Sequence, residues 1–174
     1  MTDPLPLSLL ASPGDGLADE LAALAERLVA ALTEIGPCVV AYSGGVDSAV
    51  VAKAAAAALG DQALAATGVS PSLASGELDA AAQLAAEIGI RHVAIATDEF
   101  ARDGYLSNGP DRCFHCKTEL YTVLRASPAI GSARTIVNGA NADDLHEFRP
   151  GLQAAAEHAI RSPLAELGLD KGAV

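Results

Sequence analysis

Six consecutive residues, Ser43-Gly44-Gly45-Val46-Asp47-Ser48, combine two hydroxyls, two glycines and a carboxylate directly after the apolar run Cys38-Val39-Val40-Ala41-Tyr42. A turn that leaves a buried strand and opens a helix points backbone N–H groups and the positive helix end at an anion. Gly44 and Gly45 allow positive φ and a close approach of the backbone to phosphate oxygens. Ser43 and Ser48 can donate to the same oxygens, and Asp47 can hold the Mg2+ that a polyphosphate brings with it. The stretch has neither the Gly-x-x-x-x-Gly-Lys-Ser/Thr pattern of a γ-phosphate loop nor the Gly-x-Gly-x-x-Gly of a dinucleotide fold. Two glycines alone would read as a connecting turn. The whole hexapeptide between a strand and a helix reads as a phosphate cradle.

The second stretch is Asn108-Gly109-Pro110-Asp111-Arg112-Cys113-Phe114-His115-Cys116-Lys117. Pro110 and Asp111 suit the first turn of a helix, and Cys113 and Cys116, three apart, then share a face. Thiols near a helix N-terminus and beside Arg112 and Lys117 are expected to have lowered pKa values. Such a pair can ligate a metal or cluster, cycle as a dithiol, or simply be structural. Two ligands do not complete a zinc or iron–sulfur site, and the sequence has no second cysteine pair. His115 points elsewhere on the helix and is a weak third candidate, and Cys38 reads as a small core residue.

A third stretch, Asn138-Gly139-Ala140-Asn141-Ala142-Asp143-Asp144, comes after the apolar Thr135-Ile136-Val137. In a parallel sheet the C-terminal strand ends line the ligand crevice, so Asn141, Asp143 and Asp144 should face the glycine loop. Paired carboxylates there suit Mg2+; the plainer reading is an Asx-rich turn capping the next helix. Arg149, in Phe148-Arg149-Pro150-Gly151, and Arg161, in Arg161-Ser162-Pro163-Leu164, fall near the same edge. Either alone reads as a solvated charge; together they are candidate phosphate or carboxylate clamps.

These segments need a frame. Leu17, Leu21, Leu24, Leu28, Leu32 and Ile35 recur at helical steps and predict a helix over 17–35, ended by Gly36-Pro37. Strands are expected at 38–42, 63–69, 92–96 and 135–137. Helices are expected from the glycine loop to 59, over 75–88, from Pro110 through Leu124 and over 151–159, with a short extended piece at 160–162. Strands alternating with helices predict an α/β fold, a three-layer open parallel sheet built from right-handed βαβ units. Residues 1–16 read as a loose leader and 17–174 as one domain. With 3% aromatics and no Trp, the core must be Leu, Val, Ile and Ala. At the end of the chain, Asp170 reads as the N-cap of a first helical turn that has no apolar face to dock. The expectation is therefore the front part of a longer protein.

Composition sets the outer limits. The 174 residues carry 11 Lys and Arg against 22 Asp and Glu, a net charge of −11. Long-range attraction to nucleic acid or an anionic membrane is not expected, since both are held through basic side chains. No stretch reaches the roughly 20 apolar residues of a membrane span. Three cysteines do not make a disulfide framework. No basic residue precedes the first apolar run, so a cytoplasmic protein is expected.

The glycine loop resembles the pyrophosphate loop of the N-type ATP pyrophosphatases, the PP-loop superfamily, which includes the asparagine, GMP and NAD synthetases and several sulfur-inserting enzymes. The loop together with Val69-Ser70-Pro71-Ser72, Arg112-Cys113-Phe114-His115-Cys116-Lys117, Gly139 to Asp144, Arg149-Pro150-Gly151 and Arg161-Ser162-Pro163-Leu164 is similar to the LarE family of ATP-dependent sacrificial sulfur transferases. The resemblance runs from about Val39 to the last residue. It implies an adenine-nucleotide α-hydrolase-like fold that binds ATP and Mg2+. The loop residues Ser43 to Ser48, with Ser70, Arg112, Lys117, Gly139, Asn141, Arg149 and Arg161, would hold the nucleotide, and Asp47, Asp143 and Asp144 the Mg2+. It further implies adenylylation of a small carboxylate, that of a nicotinic-acid-derived pyridinium mononucleotide. A sulfur nucleophile then displaces AMP, giving a thiocarboxylate for a nickel-pincer cofactor. In some members an enzyme cysteine is the donor; in others a 4Fe-4S cluster is held by three cysteines, two paired as Cys113 and Cys116 are. The family's later cysteine, and parts that bind substrate and form a homo-oligomer, would lie beyond Asp170. ATP binding and adenylylation are expected of this chain, and a sulfurated product is not.

Three other readings compete. A tRNA thiolase would need a basic face, for which the chain has little material. An amidotransferase-type synthetase would not need the cysteine pair. A truncated, non-catalytic ATP-binding module would keep the loop and lose the rest.

Overall fold

The computed structural model describes residues 15–101, 103–107, 109–131, 134–146 and 149–174. Most of the expected leader, and Asn108 and Phe148 of the motifs, lie outside the described residues. The first helix, α1 (Asp15–Ile35), begins two residues before the leucine pattern does. Leu28 and Leu32 are buried while Leu17 and Leu21 are exposed, so only the C-terminal part of the stripe docks. Gly36, at φ +74°, stops the helix and returns its N–H to the Leu32 carbonyl at 3.1 Å.

The chain then alternates as the sequence predicts: β1 (Cys38–Ala41), α2 (Val46–Leu59), β2 (Ala63–Val69), α3 (Glu77–Ile88) and β3 (Arg91–Ala96). A one-turn helix, α4 (Asp103–Leu106), leads to α5 (Arg112–Ala126), β4 (Thr135–Val137), α6 (Pro150–Glu157) and α7 (Pro163–Glu166). The four strands are parallel in the order β3-β2-β1-β4. Cys38 lies between Ala63 and Thr135, and Val40 between Ala65 and Val137. The extended piece expected at 160–162 shrinks to one parallel bridge between Val137 and Arg161, because Pro163 opens α7 at once.

Side-chain alternation along the central strands splits the core in two. Cys38, Val40, Ala63 and Ala65 face α1, α2 and α3; Val39, Leu64, Ala66 and Ile136 face α5 and α6. Sheet and helices meet largely through alanines, with Ala52, Ala55, Ala81, Ala85 and Ala154 all at 2% exposure or less. Small side chains let the layers approach, which is how a core with so few aromatics closes. The largest fully buried side chain is Tyr121, whose hydroxyl accepts a hydrogen bond from Asn138 Nδ2 at 3.2 Å.

The end of the chain departs from expectation. Asp170 does cap: its Oδ1 accepts the N–H groups of Gly172 and Ala173 at 2.9 and 3.0 Å. The residues it caps form a turn rather than a helix, and that turn does dock, since Leu169 is buried and Ala173 and Val174 pack on the α1–α2 core. Among the described residues no helix is long and apolar enough to cross a membrane.

The order of strands fixes where a ligand can sit. From β1 the chain moves outward to β2 and β3, then crosses back to place β4 on the other side of β1. The loops leaving β1 and β4 therefore diverge and leave a crevice between them at the C-terminal edge. Leu124, fully buried between α5 and the sheet, tests this packing: Leu124→Ala should lower unfolding free energy by about 3 kcal/mol in urea titration, and a loss under about 1 kcal/mol would refute it.

Candidate functional site

A cleft of about 430 Å3 opens at that edge, bounded by the glycine loop, the loop after β2, the start of α5 and the loop after β4. The glycine loop is built by contacts that only small residues allow. Gly44 has φ +79° and sits against Ala81 of α3, where a Cβ would meet the Ala81 Cβ at 3.1 Å. On its other side Gly139 approaches so closely that a Cβ there would lie 2.7 Å from the Ser48 nitrogen. Gly45 is the N-cap of α2, with no side chain capping it, and the first helical bond runs from Ala49 N–H to Gly45 O. The first N–H groups of α2 have no partner within the helix, and Gly45, Asp47 and Ser48 line the cleft, which suits an anion.

The serine hydroxyls serve the loop itself. Ser48 Oγ donates to Gly45 O at 2.9 Å, Ser43 Oγ accepts the Gly45 N–H at 3.3 Å, and the two hydroxyls lie 3.2 Å apart. Val46 is exposed at the loop's tip. Asp47 lines the cleft, 3.4 Å from Asn141 Nδ2.

Asn141 and Asp144 are both buried and form an Asx turn. Asn141 Oδ1 accepts the N–H groups of Asp143 and Asp144, and Asp144 Oδ2 accepts that of Asn141 at 3.1 Å. Asp144 still lines the cleft, paired with Arg149 at 2.8 Å. The capping reading and the site reading thus hold for one residue at once. Asp143 does not join it: it accepts the Lys171 N–H at 3.0 Å and is absent from the cleft wall. Among the described residues no group of three or more His, Cys, Asp or Glu could hold a metal. Asp47 and Asp144 nevertheless suit Mg2+, which takes one or two carboxylates and fills its shell with phosphate and water.

Two of the arginines expected to hold the nucleotide lie elsewhere. Arg161 is bound to Glu166, Nε to Oε1 at 2.8 Å, and is absent from the cleft wall. That bond, with the carboxylate's attraction, raises the guanidinium pKa and lowers that of Glu166. Arg112 stacks over the Tyr105 ring at 4.3 Å and donates to its hydroxyl, turning away from the cleft. Lys117 does reach the cleft, its stem packed on Gly151.

Cys113 and Cys116 both line the cleft, Cys113 against Gly151 and exposed, Cys116 half-buried. The expected lowering of the thiol pKa is overturned at Cys116. Burial raises it first, the Glu99 carboxylate adds to the rise, and Lys117 and Arg112 offset only part. Asp111 is the N-cap of α5, but its side chain makes no capping bond. It lies 3.2 Å from the ring of His115, which is absent from the cleft wall that both cysteines line. Cys38 sits in β1, raised to about 11 by burial, at the strand end opposite the cleft. The two thiols alone do not complete a 4Fe-4S site.

Sequence reasoning passed over Glu99. It lies in a short turn after β3, 3% exposed, and lines the cleft. Ser70 Oγ donates to its Oε1 at 2.5 Å, Ser72 donates to the same oxygen, and Thr97 Oγ1 donates to Oε2 at 3.2 Å. Burial pushes the carboxyl up, but the hydroxyl bonds outweigh it and hold the pKa below the ordinary value. Ser70 lines the cleft itself, with its hydroxyl committed to this carboxylate. The signal was available: an acid just past the C-terminal end of a parallel strand.

Residues 20–118 match the family described as Asparagine synthase, and the chain belongs to that family of PP-loop domains. It is 46% identical over 138 residues to an uncharacterised protein of Synechocystis, covering 79% of this chain and 52% of that protein. It is 34% identical over 147 residues to the pyridinium-3,5-bisthiocarboxylic acid mononucleotide synthase of Lactiplantibacillus plantarum, covering 84% of this chain and 53% of that one. The chain thus spans about half the length of these curated relatives. Its fold is similar to that of NMN synthetase from Francisella tularensis, with a TM-score of 0.63 at 18% identity over 88% of this chain and 67% of that one.

The raised Cys116 pKa makes a test of the geometry. The thiolate form is favoured only above the ordinary thiol range, so alkylation of Cys116 by iodoacetamide, followed by peptide mass spectrometry, should be slow near neutral pH. It should still be accelerating with pH where an unburied thiol has levelled off. A rate already at its plateau at pH 8 would contradict the burial described.

Proposed function

We propose that residues 17–174 are an ATP-pyrophosphatase domain that activates a carboxylate as its adenylate. In finer detail, the substrate is a pyridinium mononucleotide carboxylate destined for sulfur transfer in nickel-pincer cofactor assembly. The glycine loop carries the reading: unpartnered N–H groups at the start of α2, pinned by Gly44 on Ala81 and Gly139 on Ser48, face a cleft that also holds Asp47 and Lys117. The similarity to a synthase whose name specifies a bisthiocarboxylic acid mononucleotide supports the finer statement.

The β- and γ-phosphates of ATP would lie on the loop N–H groups, with Lys117 and Arg149 on the facing wall. A carboxylate oxygen of the substrate attacks the α-phosphorus, and the bond to the bridging oxygen breaks with its electron pair leaving on pyrophosphate. The loop donors stabilise that leaving charge and require no oxidant, reductant or proton relay. Mg2+ bound with the nucleotide, held by Asp47 with Asp144 to hand, would neutralise part of the same charge.

Sulfur transfer from an enzyme cysteine would need a thiolate to displace AMP as a thioester. Loss of the cysteine Cα proton and cleavage of Cβ–S would then release the thiocarboxylate and leave dehydroalanine. Cys116 is held as the thiol by burial and Glu99, and no step is assigned to an iron–sulfur cluster. The later cysteine that the resemblance calls for has no counterpart after Cys116 in these residues, so the chain by itself is proposed to stop at the adenylate, acting on a small molecule in the cytoplasm. Homo-oligomer formation belongs to the proposal only for the longer proteins of the family.

Equilibrium dialysis with Mg·ATP should show retention, and Asp47→Ala should weaken it at least ~10-fold, about 1.4 kcal/mol. No retention, or retention unchanged in Asp47→Ala, overturns the reading. With ATP and the mononucleotide substrate, mass spectrometry should find pyrophosphate and adenylate but no thiocarboxylated product; detecting that product would refute the arrest at the adenylate.

A further inference from the structure

Glu99 is a charge in an unusual position. It is 3% exposed, its oxygens receive three hydroxyl donors, and among the described residues no lysine or arginine pairs with it. Hydroxyls from two separate loops converge on it, Ser70 and Ser72 after β2 and Thr97 after β3. An ionised carboxylate taken out of water without a counter-charge costs several kcal/mol. Neutral donors offset part of that cost and leave the net negative charge in place.

The carboxylate also lines the cleft onto which the glycine loop and Lys117 open. A ligand in that cleft meets both a buried negative charge and an anion-binding loop. Because the field of a buried charge is screened weakly, Glu99 favours a cation near it and disfavours a neutral or anionic group of the same shape.

We propose that Glu99, held by Ser70, Ser72 and Thr97, is the specificity-determining residue that selects a carboxylate substrate bearing a positive charge over its neutral isostere. The proposal rests on the reading of the cleft as an adenylylating site and adds to it the residue that reads charge. Glu99 touches neither the α-phosphorus nor the attacking carboxylate in this account, so its effect falls on substrate affinity.

Calorimetry with two probes tests it. N-methylpyridinium-3-carboxylate and 3-methylbenzoate share shape and carboxylate and differ by one ring charge. Each is titrated into the full chain with and without Mg2+ and α,β-methylene-ATP. The zwitterion with the charged ring should bind at least ~10-fold more tightly than the carboxylate with the uncharged ring. Glu99→Gln should bring the ratio close to one, and Glu99→Asp should keep part of it, circular dichroism confirming that both variants fold. Equal binding of the two probes to the unmodified chain overturns the proposal without recourse to any variant. So does binding of neither while the nucleotide is retained, or a full preference surviving in Glu99→Gln. Nucleotide retention is read on a separate ligand. Its failure sinks the adenylylation reading, while a charge preference seen without nucleotide still supports Glu99.

Discussion

The contact of Gly139 with the start of α2 is the constraint on which the rest depends. A Cβ at residue 139 would lie 2.7 Å from the Ser48 nitrogen and 2.9 Å from the Asp47 carbonyl carbon, so two stretches of backbone touch where other proteins place side chains. This contact joins the exit of β4 to the exit of β1, and it can form only because those strands are parallel neighbours with Val40 opposite Val137. On the far side, Gly44 rests on Ala81, so α3 must lie close to the sheet as well. The alanines of α2, α3 and β2 are consequences of the same demand. A bulkier core would lift the helices and open the loop.

Much of this was legible in the sequence, and the reason is local. Strand and helix boundaries came from runs such as Cys38-Val39-Val40 and Ala63 to Val69, where apolar residues, glycine and proline act through nearest neighbours. The glycine loop was legible because backbone geometry there depends on residue type more than on tertiary context. The third helix shows the limit: it starts at Glu77 rather than 75, because Gly76, at φ +85°, takes the capping position.

The statements that failed concerned partners. Arg161 was expected at the cleft and found Glu166 five residues along; Arg112 found Tyr105; Asp143 found the Lys171 N–H. In each case a nearby group competes with the site for the same charge, and sequence spacing does not rank the two. Cys116 failed for another reason. Its place in the first turns of α5 argued for a lowered pKa through the helix end, but the dipole's influence decays within a turn and is modest, whereas desolvation and the Glu99 charge act directly on the sulfur. Glu99 escaped notice because it sits in a turn with no motif around it, and its importance comes from Ser70 and Ser72, 29 and 27 residues earlier.

A chain of net charge −11 whose glycine loop suits an anion poses an electrostatic question, and the fold answers it by distance. Surface carboxylates act on the cleft through water and salt, which damp interactions beyond about 8 Å at physiological ionic strength. The loop N–H groups and Lys117 act within hydrogen-bond reach, where screening is least. The near field therefore decides binding and the far field decides approach. One acid in the near field, Asp144, is matched by Arg149 at 2.8 Å, and Asp47 lies 3.4 Å from the Asn141 amide nitrogen. Glu99, which lines the same cleft, is left with hydroxyls alone. Neutral donors thus do for Glu99 part of what Arg149 does for Asp144, except that they leave its charge uncancelled.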